Sequence, residues 1–188
     1  MVPTVVRFAG VPASPWKNGG GSTRELLREP AEGALSLRLS IADVADDGPF
    51  SVFPGVDRVL TLLEGTGLRL SGPAGRREIG SEPCAFRGED PWHCTLVDGP
   101  VRDFNVMVSR GTPVRVTRGL GSPLTGSRVF LLALTDGVAL PGLPVLDRYD
   151  LLVMPDGARV EGSSAGDPEV LYVEIGVAAT PVGYSPAP

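Results

Sequence analysis

Strict alternation of apolar and polar positions dominates this chain. In LSLRLSIADV, Leu35, Leu37, Leu39 and Ile41 alternate with Ser36, Arg38, Ser40 and Ala42, the period-two signature of a strand with one apolar face. Arg38 and Ser40 therefore share the other face. Similar runs follow at VLTLLE (59–64), GLRLS (67–71), CTLVD (94–98), VRDFNVMVS (101–109), RVFLLALT (128–135), YDLLVM (149–154) and EVLYVEIGV (169–177). Between them lie the turn signals DGP, FPG, EGTG, SGPAG, VDGP, TDG and PDG. Nothing longer than about ten residues has a helical period. The pattern predicts an all-β protein of many short strands.

The stretch STRELLRE is ambiguous. Ser22 and Glu25 have the spacing of a helix capping box, yet Thr23, Glu25 and Leu27 alternate with Arg24, Leu26 and Arg28, and Pro30 would stop a helix before its second turn. A strand is the better reading. An internal echo adds to the picture. DRVLTLLEGTGLRL (57–70) aligns without a gap to DRYDLLVMPDGARV (147–160), matching Asp57, Arg58, Leu62, Gly67 and Arg69 to Asp147, Arg148, Leu152, Gly157 and Arg159. An Asp-Gly pair precedes each segment, at Asp47-Gly48 and Asp136-Gly137. A duplication would give two similar β-barrels or sandwiches in tandem, although turn-rich strands resemble one another in any case.

Composition supports folding and removes several functional classes. The chain has 188 residues, 42% hydrophobic and 21% charged, an ordinary globular balance. Its 25 glycines and 19 prolines are spread between apolar runs and so mark turns. With 17 basic and 22 acidic side chains the formal net charge is −5, and no segment concentrates Lys and Arg with aromatics, so a nucleic-acid partner is not expected. MVPTVVRFAGVPASPW carries Arg7 within its apolar part and lacks the basic start and continuous apolar stretch of a signal peptide. No run approaches membrane-spanning length. The expectation is a soluble cytoplasmic protein with no membrane partner. A homodimer stays open.

Candidate chemistry is narrow. His93 is the single histidine, and its neighbour Cys94 points to the opposite face of a strand, so a dedicated transition-metal site is not expected. A Ser-His or Cys-His nucleophile would have to use His93, and no G-x-S-x-G elbow is present. No catalytic residue is assigned; any acid or base would have to be Glu25, Asp103 or Glu89. Cys84 and Cys94 read as buried reduced thiols, with a bridge between them the lesser alternative.

The segment PWKNGGGSTREL (15–26) is more suggestive. Lys17 precedes Gly19, Gly20 and Gly21, the reverse of a phosphate-binding loop. What remains is a loop whose N–H groups could form a nest for a carboxylate, with Asn18 offering a donor and an acceptor, or else a plain surface turn. Three pairs of polar residues each share a strand face: Asp103 with Asn105, Arg38 with Ser40, and Thr23 with Glu25. One such pair alone describes a solvated face. Several of them beside an aromatic-flanked glycine loop describe a pocket.

The blocks PWKNGGGSTREL, LRLSIADVADDGPFSVFPGVDRVLTLLEGTGLRL and CAFRGEDPWHCTLVDGPVRDFNVMVSR resemble the HutD/Ves family, through W-x-N-G-G-G-x-T-x-E, G-P-F-S-x-F-P-G-x-D-R and G-P-x-x-D-F-N-x-M motifs. They cover most of residues 15–110; the C-terminal third matches only loosely. The resemblance implies a cupin-like (RmlC-like) fold of double-stranded β-helix barrels, with two halves in one chain. These are an N-terminal half over 1–110, carrying the ligand pocket, and a more divergent C-terminal half over 111–188. It also implies an accessory or regulatory part in histidine utilisation, and for the Ves branch a vaguer tie to stress. Metal-dependent cupins carry an H-x-H pair where this chain has FPGVDRVLTLLEG, so no metal or other cofactor is expected.

Carried over residue by residue, the motifs fall on Trp16, Asn18, Gly19, Gly20, Gly21, Thr23, Glu25, Arg38, Ser40, Arg58, Asp103 and Asn105. Arg58 or Arg38 would hold a carboxylate and Trp16 would cover a planar portion. The implied partner is a small metabolite such as urocanate or a formylated or formimino glutamate. The competing functions are a metal-independent isomerase or hydrolase using Glu25 and Asp103, and a structural or protein-interaction module.

Overall fold

The structure, a computed structural model, describes residues 2–31, 34–119, 124, 126–158 and 169–177. Its strands in chain order are β1 (Thr4–Val6), β2 (Ser14–Pro15), β3 (Gly21–Ala31), β4 (Ala34–Val44), β5 (Gly48–Pro49), β6 (Val56–Glu64), β7 (Leu68–Gly72) and β8 (Gly75–Ile79). They continue with β9 (Cys84–Arg87), β10 (His93–Leu96), β11 (Val101–Ser109), β12 (Val114–Arg118), β13 (Arg128–Ala133), β14 (Leu151–Val153) and β15 (Val170–Ile175). Among the described residues the only helical element is the 3-10 turn Phe8–Gly10, and no helix is long and apolar enough to cross a membrane. The chain is all-β and cupin-like.

Among the described residues, 12–111 form one compact unit, while 2–11 join the residues from 112 onward in a second. Residues 2–11 thus group with the second unit and not with residues 12–110. In the second unit the antiparallel sheet runs β1-β14-β13-β15-β12. Thr4–Val6 pairs with Leu151–Val153, and Asp150 fixes the approach by accepting from Arg7 at 2.6 Å and from the Phe8 N–H at 2.9 Å. Leu131, Ala133, Leu146, Leu152, Val170 and Tyr172 belong to its core. The sequence echo has no counterpart in strand position: Asp57 and Arg58 lie inside β6, whereas Asp147 and Arg148 lie in the turn before β14. Its last matched residue, Arg159, falls outside the described residues.

The unit of residues 12–111 carries the polar pairs. It has a six-stranded sheet, β2-β3-β4-β11-β6-β9, and a four-stranded sheet, β5-β10-β7-β8. Apolar side chains of both sheets share one core: Leu60, Leu62, Phe86 and Val101 from the larger, Leu68, Leu70, Ile79 and Cys94 from the smaller, with Trp92 among them. Each such side chain, fully removed from water, contributes on the order of 1.5–3 kcal/mol. The ambiguous segment is a strand, as read. One extra residue bulges between Glu25 and Leu27, so the alternation expected through Leu27 breaks at Leu26, which is buried at 5% exposure.

Register places the polar residues in rows across the larger sheet. Asp103 lies opposite Ala42 on β4 and Leu62 on β6; Asn105 lies opposite Ser40 and Leu60; Met107 lies opposite Arg38 and Arg58. Thr23 and Glu25 extend the first two rows onto β3. Every one of these residues points to the same face, because side chains two apart on a strand do so. The opposite face, with Leu37, Leu39, Ile41, Phe104, Val106 and Val108, is apolar and buried.

Candidate functional site

The polar face is an interior surface. Ser40, Arg58, Asp103 and Asn105 are all buried, and they line a cavity of about 560 Å³ together with Trp16, Asn18, Thr23, Arg38 and Met107. That volume suits a small organic molecule. Residues from the 49–53 segment, Pro49, Phe50, Ser51 and Phe53, form another wall, and Ser14, Pro15 and Lys17 complete the lining with Ala42. Leu60 and Leu62, the β6 neighbours of Asn105 and Asp103, belong to the apolar core of the same unit.

Arg58 is the dominant charge. It is 4% exposed, and its guanidinium lies 5.3 Å from the Phe50 ring centre, 5.5 Å from that of Phe53 and 5.1 Å from that of Phe86. Three rings within about 6 Å favour the cation electrostatically and shut out water. Among the described residues its single hydrogen bond is a long one from Nη1 to the Ser51 carbonyl, 3.4 Å, and its Nε has no partner. Burial lowers its pKa to about 10, with Asp103 opposing the shift and Arg38 adding to it, so Arg58 stays protonated at neutral pH. Asp103 shows the complementary effect. Burial raises its carboxyl to about 7; Arg58 pulls the value down and Asp43 adds to the rise. The Oδ1 atoms of Asp103 and Asn105 also lack hydrogen-bond partners.

Trp16 and the three glycines form one closed turn. The Gly19 N–H donates to the Trp16 carbonyl at 3.0 Å, the Trp16 N–H donates to Gly21 at 2.9 Å, and the Gly20 N–H donates to Asn18 Oδ1 at 3.2 Å. Gly19 has φ +77°, a conformation that strongly favours glycine. Gly21 is required for a different reason: a Cβ there would stand 2.3 Å from the Asp43 carbonyl oxygen and 3.0 Å from the Trp16 ring. Gly21 therefore lets the indole pack against the backbone. Trp16 Nε1 then donates to Thr23 Oγ1 at 2.8 Å, which fixes the ring at the cavity wall. The expected nest of amides for a carboxylate is not formed by Gly19 and Gly20, because their N–H groups are consumed within the turn.

Of the twelve residues selected from the sequence, Trp16, Asn18, Thr23, Arg38, Ser40, Arg58, Asp103 and Asn105 line the cavity. Gly19, Gly20, Gly21 and Glu25 do not; the glycines shape the loop, and Glu25 accepts from Arg38 Nε at 2.6 Å and from Arg28 at 3.4 Å. Arg38 is thus already ion-paired, which leaves Arg58 as the better-disposed cation. Glu89 also lies outside the lining and pairs with Arg110, whose hydrogen bond holds the carboxyl below the usual carboxylate range. His93 is an exposed residue at the start of β10. Cys84 and Cys94 are free thiols, and burial, then Asp103 and Asp47, push Cys94 up to about 12. Among the described residues no group of three or more His, Cys, Asp and Glu side chains is placed to hold a metal ion.

Sequence reasoning passed over Lys17, Phe50, Ser51, Phe53 and Met107 as lining residues. The usable signal was GPFSVFPG, which places two aromatics in a segment too rich in turn residues to bury them in an ordinary strand. Met107 gave none, since a methionine on a strand face reads as core.

Comparison with known proteins agrees with this architecture. The HutD family model matches residues 9–171. An uncharacterised 21.2 kDa protein from the hutC 3′ region of Pseudomonas putida is 42% identical over 107 residues, 55% of this chain and 56% of that protein. The matched stretch thus spans only about half of that relative. Protein Ves of Escherichia fergusonii is 31% identical over 182 residues, 94% of each chain. The solved structure of HutD from Pseudomonas fluorescens SBW25 superposes with a TM-score of 0.76 at 32% identity, covering 93% of this chain and 98% of that one. A bacterial pirin, YhhW of Escherichia coli, shares the fold at 11% identity, with a TM-score of 0.65 over 94% of this chain and all of its own, 100%. The chain belongs to the HutD family.

Proposed function

We propose that this protein is a metal-independent, cytoplasmic bicupin that binds a small carboxylate-bearing metabolite in the cavity of residues 12–111 and acts as an accessory or regulatory factor in histidine utilisation. The observation that carries the proposal is Arg58: a buried guanidinium in an aromatic enclosure, with its Nε unpartnered, at the wall of a cavity of about 560 Å³. A buried cation without a contacting carboxylate is costly, and an incoming anion would remove that cost by a charge-assisted hydrogen bond. Arg38 and Lys17 add positive charge to the lining, and Trp16 offers a fixed planar surface. The names of the relatives, HutD and a hutC-region protein, support the pathway.

The test is a thermal-shift and calorimetric screen of the full chain with urocanate, formiminoglutamate and N-formylglutamate. A ligand selective for the native state at about 100 times its Kd should add ~2.7 kcal/mol of apparent stability. Arg58→Met, which keeps a long apolar stem among the rings, should weaken binding at least about tenfold. Unchanged affinity in that variant would remove Arg58 from the site and the proposal with it.

A metal-independent isomerase or hydrolase is the second reading, and Asp103 is what favours it. A buried carboxyl raised to about 7 is suited to exchange protons near neutral pH. Product formation followed by NMR with the same compounds separates the two readings, since a binding protein returns each compound unchanged.

A further inference from the structure

Binding of a carboxylate by Arg58 accounts for one end of a ligand and leaves two buried acceptors unexplained. Asp103 and Asn105 are 1% and 6% exposed, lie two residues apart on β11 and face the same cavity. Among the described residues neither Oδ1 has a hydrogen-bond partner. Asp103 lies between the apolar Ala42 and Leu62; Asn105 lies between Leu60 and Ser40, and the Ser40 hydroxyl does not bond its Oδ1. Buried polar atoms of native proteins are nearly always hydrogen-bonded, so two orphaned acceptors on one cavity wall call for an explanation. Resting on the carboxylate reading above, we infer that Asp103 and Asn105 form an acceptor subsite for a head group that presents polarised N–H donors. The ligand class is then a small carboxylate whose far end is an amide, amidine or imidazole, as opposed to one ending in an ester, ether or hydrocarbon.

The arrangement discriminates by what it leaves unpaired. A carboxylate of the same shape without the N–H would still meet Arg58, but it would seal the two acceptors away from water with nothing to bind. Sites built to bond a substrate N–H or O–H reject the analogue lacking it far more strongly than apolar pockets reject a missing methylene. The groups around Asp103 are consistent with this role. Arg58 on β6 and Asp43 on β4 act on it electrostatically, and among the described residues no protein donor bonds its Oδ1.

Two matched pairs of probes test the subsite by calorimetry on the full chain at pH 7.5: urocanate against 3-(2-furyl)acrylate, and N-formylglutamate against 2-formyloxyglutarate. Each pair keeps the carboxylate end and replaces N–H by oxygen or carbon at the other. In at least one pair the N–H compound should bind at least about tenfold more tightly. Asp103→Leu should bring that ratio close to one. Asn105→Ala provides the same readout should Asp103→Leu not fold. Equal affinities within each pair would overturn the acceptor subsite and leave the carboxylate reading standing. No binding by any of the four compounds would overturn the carboxylate reading and the subsite together.

Discussion

At the scale of single residues, interior placement sets the chemistry of this protein. Arg58 and Asp103 would be unremarkable on a solvated sheet; inside, the loss of water shifts both toward their neutral forms. For Asp103 the folded pKa is about 7 against an ordinary 3.8, so the native state binds more protons than the unfolded state between those values. Its contribution to stability is complete below 3.8 and is lost as the pH rises through about 7. Asp103→Asn removes this dependence. Melting temperatures without ligand should show the variant gaining on the parent as the pH goes from about 4 to about 8. A constant difference across that range would mean that Asp103 titrates normally. The sequence placed Asp103 and Asn105 on one face by simple alternation. It gave no means of seeing that Phe50, Phe53 and Phe86 would surround Arg58, since those rings come from two segments distant from each other in the chain, 49–53 and β9.

The hairpin of β3 and β4 is the element on which the site depends. Its long pairing from Gly21↔Val44 to Ala31↔Ala34 carries Thr23, Arg38 and Ser40 into the cavity wall and supports the Trp16 turn at one end. Two glycines of this turn, Gly19 and Gly21, should respond differently to alanine. At Gly19 a Cβ meets nothing within 4 Å, so only the positive φ opposes it, at about 1 kcal/mol. At Gly21 the Cβ would strike a backbone carbonyl and the indole together, and neither can yield cheaply, so ~3 kcal/mol is expected. Urea unfolding of both variants checks the order, and the Gly21 variant should also lose ligand binding as Trp16 is displaced. Equal stabilities would show that the indole does not rest on Gly21. The element was legible as a strand from STRELLRE, but its two register shifts, between Glu25 and Leu27 and between Glu29 and Pro30, were not. Only the partner strand reveals where one residue is extra.

For the molecule as a whole, chain order and spatial order diverge at the N-terminus. Residues 4–6 complete a sheet whose other strands come after residue 112, and Asp150, 3% exposed, accepts from Arg7, from the Phe8 N–H and from the Asp147 N–H. Asp150→Ala leaves two backbone donors without their acceptor and should cost about 2 kcal/mol, seen as a lower urea midpoint. An unchanged midpoint would argue against the docking of β1 on β14. Sequence by itself determined the class of this fold and the division of side chains between strand faces, because alternation and turn chemistry are local properties. Tertiary structure alone decided that the polar face, too, is inside. Arg38, Ser40, Asp103 and Asn105 alternate just as solvated residues do, and they line a cavity only because the 49–53 segment and the Trp16 turn come to cover them. Covering is a contact between distant segments, and no periodicity along one strand encodes it.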